Sequence, residues 1–196
     1  MHIFKKICYG LLAVTLVISI GFSLVTSAEQ NLSGGYSTLS TVTDKSSAWI
    51  LENFGHCNTV AELLEALDQF GCENFIYDLS AIPVIQAFDL DKFIFQDDFH
   101  GVCFDFSCFV KCVVLVWKEA HGRQDVQAFV YDVFLPNRKG HSYNFILEDG
   151  RTWYLCLTTN NDRVKKGKES LGAIEITGQT PEEYAESYNE TVFFIH

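Results

Sequence analysis

A run of 16 residues, Val102 to Trp117, is apolar through most of its length and is closed by Lys118, Glu119 and Gly122. Its valines, taken alone, argue for a strand. Ordinary strands are far shorter, so length decides for a buried helix that the rest of the chain has to cover. The material for that cover is present. Hydrophobic residues make up 48% of the chain, with 17 Phe and 8 Tyr, which is enough for the core of one domain and excludes global disorder.

Shorter signals surround this helix. Thr59 followed by Glu62 is a capping-box pattern, and Val60, Leu63, Leu64 and Leu67 form one apolar face, with Gly71 expected to end the helix. Phe75 to Val84 is mixed and Pro83 limits any helix there; Asp89 to His100 reads as loop with a short helical turn. After the long helix come expected strands at Val126 to Leu135, His141 to Leu147, Trp153 to Thr158, Leu171 to Thr177 and Val192 to Ile195. Asp149-Gly150 joins the second and third as a hairpin. Thr180, Pro181 and Glu183 start a short helix before the last strand. Helices first and antiparallel strands afterwards predict an α+β domain.

The N-terminus reads as an export segment. Lys5 and Lys6 precede the apolar stretch of residues 7–25, and Thr26-Ser27-Ala28 offers a cleavage point, so residues 1–28 are expected to be a signal peptide or a membrane anchor. Residues 29–47, rich in Ser, Thr and Gly, are expected to be a tether, and residues 48–196 the domain, secreted or held outside the cytoplasm. The net charge of -11, from 25 acidic and 14 basic side chains, repels nucleic-acid phosphates and anionic lipid headgroups. The basic run Arg163, Lys165, Lys166 and Lys168 reads as a solvated loop.

Two residues carry the chemistry. Cys103 lies at the start of the long helix, where unpaired N–H groups favour a thiolate and face the place of a tetrahedral oxyanion. His141 opens a strand after the turn at Pro136 to Gly140, a position suited to a base at a cleft rim. The stretch GVCFDFSCF resembles the nucleophile motif of transglutaminase-like domains, and GHSYNFILEDGRTWYL resembles the same family's histidine hairpin. The two motifs stand in the family's order, with Cys103 and His141 38 positions apart, and the resemblance covers residues 48–160. It implies a papain-related fold, a nucleophile helix packed on an antiparallel sheet, and a Cys-His-Asp triad. The implied chemistry is acyl transfer or hydrolysis on protein or cell-wall peptide amides, with no metal or organic cofactor.

The family's third, acidic residue usually stands four places after the hairpin Trp. Counted from Trp153 that place is Leu157, which cannot orient an imidazole; Asn160 and Asp162 are the nearby candidates to substitute. A degenerate domain that binds peptide or polysaccharide without turnover is the alternative that Leu157 favours. A disulfide-stabilised structural domain would instead require Cys103 to be oxidised. Cys57 and Cys72 bracket a helix of about 18 Å, beyond disulfide reach of about 7 Å. Cys108 and Cys112 read as buried thiols rather than ligands beside Cys103.

Overall fold

The computed structural model describes residues 42–79 and 88–196. The expected leader, most of the tether and the segment around Pro83 lie outside these residues. Helix α1 (Asp44–Phe54) starts inside the stretch expected to be tether. Thr43 caps it: its hydroxyl accepts from the Ser46 N–H at 3.2 Å, while the Ser46 hydroxyl accepts from the Thr43 N–H at 3.0 Å. The Thr43 hydroxyl also donates to the Asp91 carboxylate at 2.9 Å. Ser46, Ile50 and Phe54 are buried, so the domain begins before Ala48.

Helix α2 (Val60–Asn74) has the predicted Thr59 cap and buries the predicted face of Val60, Leu63, Leu64 and Leu67. Gly71 does not end it. A Cβ on Gly71 would lie 3.0 Å from a Leu157 methyl, so this glycine lets a second helix approach closely. Strand β1 (Ile76–Tyr77) comes next, then helix α3 (Leu90–Phe95) and strand β2 (His100–Gly101), which pairs parallel with β1.

Helix α4 (Cys103–Ala120) is the long apolar run, and Phe106, Phe109, Val110, Val113, Val114 and Trp117 are fully buried. Each such side chain contributes about 1.5–3 kcal/mol of burial. On one side it meets the helical layer, where Phe75 stacks on Phe106 with centroids 4.3 Å apart and the Trp117 indole N–H donates to the Cys57 carbonyl at 2.9 Å. On the other side it lies on a five-stranded antiparallel sheet. Strands β3 (Val126–Phe134), β4 (Gly140–Glu148), β5 (Arg151–Leu155), β6 (Ile174–Ile176) and β7 (Thr191–Ile195) are ordered β6-β5-β4-β3-β7. The buried Asn144 amide of β4 donates to the Ser107 carbonyl at 2.9 Å and fixes the helix over the sheet.

The β4–β5 hairpin turns at Asp149 and Gly150, both with positive φ as a two-residue type I′ turn requires. This sets the pairs Glu148 with Arg151 through Asn144 with Leu155. Strand β5 stops at Leu155, short of the expected Thr158, and the chain enters helix α5 (Leu157–Lys165). The basic run is therefore not all loop: Arg163 and Lys165 lie in α5, and the Lys165 ammonium donates to the Phe75 carbonyl at 3.0 Å. Helix α6 (Pro181–Ser187), capped by Thr180 and Glu183, covers the far face of the sheet, where Tyr184 meets Phe145 and Tyr154. The α+β class expected from the sequence is the observed one.

Two side-chain networks should be measurable in the stability of the domain. A chain begun at Ala48 lacks the Thr43 cap and should be about 1–2 kcal/mol less stable than one begun at Leu39, a difference of a few degrees in melting temperature. Equal melting temperatures would show that the cap contributes nothing. Asn161 is buried and its amide donates to the Gly71, Cys72 and Phe75 carbonyls. Asn161→Ala should cost roughly 1–3 kcal/mol in urea melts, the cost of leaving such acceptors without a partner.

Candidate active site

The N-terminus of α4 is shaped by its own first turn. Asp105 folds back so that its carboxylate accepts from the Val102 N–H at 2.8 Å. A Cβ on Gly101 would stand 2.8 Å from that carboxylate, so only glycine fits beneath it. Burial raises the Asp105 pKa, against the lowering effect of the Val102 N–H. Cys103 opens the helix, half-buried, with first-turn N–H groups that have no partner within the helix. Tyr77, on neighbouring β1, interacts with Cys103; burial first, and then this thiol, raise its pKa.

His141, the second residue of β4, interacts with Cys103 as well. Its Nε2 lies 3.2 Å from the sulfur of Cys156. Burial disfavours the charged imidazole, but the hydrogen bonds and charge interactions with Cys103 and Cys156 outweigh it and push the pKa up to about 10. Cys156 is 2% exposed and sits at the joint between β5 and α5. Its sulfur is 3.1 Å from the Thr159 hydroxyl. Burial raises its pKa, yet His141 and Thr159 together bring it below the ordinary thiol value. Imidazolium and thiolate thus favour each other inside the domain.

The other residues expected near His141 are engaged elsewhere. Asn160 is buried, and its amide donates to Asp68 at 2.6 Å and to the Gly172 carbonyl at 3.1 Å. Asp162 is exposed and pairs with Lys166 at 2.7 Å. Both lie in α5, a helix where the sequence suggested strand and loop, and their hydrogen bonds do not go to His141. Leu157 turns into the core against Gly71. The residue that sequence reasoning missed is Cys156.

A second polar chain that the sequence did not reveal links β3, β4 and the C-terminal histidine. The Ser142 hydroxyl donates to Asp132 at 2.5 Å, and His196 Nε2 lies 2.9 Å from the other Asp132 oxygen. The His196 ring meets Phe104, the neighbour of Cys103, edge-on at 5.7 Å. All six cysteines of the described residues, Cys103 included, are free thiols. Among the described residues there is no group of three or more His, Cys, Asp or Glu side chains able to hold a metal, and no helix long and apolar enough to cross a membrane.

No protein-family profile matches the chain, and no curated protein matches it. Among solved structures it is similar to a proposed cysteine protease of Cytophaga hutchinsonii, at 15% identity and a TM-score of 0.46, over 78% of this chain and 49% of that one. It is also similar to a TGase, at 12% identity and a TM-score of 0.39, over 89% of this chain and 44% of that one. The chain spans under half the length of either protein.

The paired shifts set a pH signature. The raised His141 value contributes stability that is complete below about pH 6.5 and is lost as pH rises toward 10. The lowered Cys156 value contributes stability that is complete above pH 9.0 and is lost as pH falls toward its folded value. Where the folded pair is imidazolium and thiolate and the unfolded pair is neutral, the slopes cancel, because moving a proton from sulfur to nitrogen takes none from solvent. The stability difference between the native chain and Cys156→Ala should therefore shrink as pH rises from about 9.0 toward 10, where His141 gives up its proton, and shrink again at acid pH, where Cys156 takes one up. Urea melts across this range test it; a difference independent of pH would mean that the two groups are neutral in the fold.

Proposed function

We propose that this chain is an exported transglutaminase-like cysteine enzyme that transfers or hydrolyses acyl groups of protein or peptide amides, with Cys103 as nucleophile and His141 as base. The observation that carries this reading is that His141 stands beside a half-buried thiol at the first residue of an 18-residue helix and interacts with it. Cys103 attacks the amide carbon as a thiolate facing the His141 imidazolium, and the ring becomes the base for the second half-reaction once it has given its proton to the leaving amine. The oxyanion that forms is met by the free N–H groups of the first turn of α4. Collapse breaks the C–N bond, the imidazolium protonates the leaving amine, and a thioester remains on Cys103. Water then gives hydrolysis, and an amine gives transfer.

Export rests on the sequence of residues 1–28, with cell-wall or extracellular peptides as the substrate class and residues 7–25 as an anchor where the leader is retained. The reading needs no cofactor and no nucleic acid. The binding-only alternative draws its support from Leu157, and Leu157 is a core residue away from the imidazole.

Cys103 should be alkylated by iodoacetamide at neutral pH before the buried Cys108, Cys112 and Cys156, as read by peptide mapping. His141→Ala should slow that labelling on the order of tenfold or more and abolish release of ammonia or amine from glutamine-containing peptides. Preferential labelling of another cysteine, at a rate indifferent to His141, would remove Cys103 from the role of nucleophile.

A further inference from the structure

We propose that Cys156 is the positioning residue of this site: its buried sulfur, as a thiolate, accepts the Nε2–H of His141 and holds the ring so that the second nitrogen serves Cys103. The proposal rests on the Cys103–His141 reading above and adds the group that orients the base. Three observations carry it. The 3.2 Å contact between Nε2 and the sulfur is a hydrogen-bond distance. Cys156 is 2% exposed, so it is closed to substrate and to solvent and acts only through His141. The Cys156 sulfur also hydrogen-bonds the Thr159 hydroxyl, 3.1 Å away in the first turn of α5, as donor when a thiol and as acceptor when a thiolate, which fixes it from the other side.

The groups that could compete for this place do not reach it. Asn160 is held by Asp68 and Gly172, and Asp162 by Lys166. The titratable groups around the sulfur are Cys103, Tyr143, Tyr154 and Tyr184. All three tyrosines have raised pKa values, chiefly through burial, and stay neutral, so His141 is the one cation facing Cys156 among the described residues. The lowered Cys156 pKa and the raised His141 pKa agree with that charge pattern. The two thiols on one imidazole then divide their work by access. The more accessible one faces the ring as the nucleophile, and the enclosed one supplies the fixed negative charge that a carboxylate supplies in other triads.

The test uses the full chain with Cys156→Ala, Cys156→Ser and Cys156→Asp. His141 is titrated by NMR of its ring protons in a Cys103→Ser background, and Cys103 alkylation is followed across pH in the background that keeps Cys103. In Cys156→Ala the His141 pKa should fall below that of the Cys103→Ser parent, toward the ordinary 6.5, and alkylation of Cys103 at neutral pH should slow on the order of tenfold. Cys156→Asp should keep both high. Cys156→Ser, close to isosteric but neutral, should behave like Cys156→Ala, which separates charge from packing and serves as the control where alanine unfolds the domain. Unchanged His141 titration in both Cys156→Ala and Cys156→Ser overturns the proposal. A high His141 pKa that depends on Cys156, together with an inert Cys103, supports the positioning role while removing the proposed enzyme activity.

Discussion

Helix α4 has apolar side chains around most of its circumference, and it is stable only when covered on both sides. The sheet covers one side and α1 to α3 the other, with Phe54, Phe70, Phe75 and Phe93 packed around Phe106 and Phe109. A helix enclosed in this way offers its backbone dipole at its ends. The N-terminal end emerges where β1, β2 and β4 meet it, and Cys103 stands there with Tyr77 and His141. Burial of the helix body and placement of its first residue are thus one constraint: the body fixes the axis, and the axis fixes where the free N–H groups point.

Much of this is legible in the residues. The length of the apolar run, the Thr59 and Thr180 caps and the Asp149-Gly150 turn each specify local structure by a single mechanism, and each is present. The features that escape such reading are tertiary. Gly71 looks like a helix stop because glycine often is one; its function here is to admit Leu157, and Leu157 is 86 positions away in sequence. Ser46 and Thr43 look like linker residues by composition, and the burial of Ile50 and Phe54 behind them makes them a cap.

The place of Cys156 beside His141 is within reach of sequence arithmetic. A two-residue turn at 149 and 150 pairs Glu148 with Arg151 and, counting back, Asn144 with Leu155. Partners share a face, so His141, Tyr143 and Phe145 lie on the face of Tyr154 and Cys156, not on that of Trp153 and Leu157. Counting the acid position from Trp153 lands on the wrong parity by one residue. Asn160 and Asp162 suit the role by their chemistry, but the chain has turned into a helix by then, and α5 aims Asn160 and Asn161 at α2.

Cys156 occupies the one residue between β5 and α5, and the residues just after it are clamped. Leu157 fills the notch at Gly71, Asn160 holds Asp68, and Asn161 gathers the carbonyls at the end of α2. The sulfur that touches the imidazole is therefore anchored not only by the β4–β5 hairpin that carries His141 but also through a helix contributed by the other end of the domain. Drift of α2 against the sheet would be felt at Nε2 through α5 and Cys156. Substitutions in α2 that never touch the imidazole can thus change where it is held.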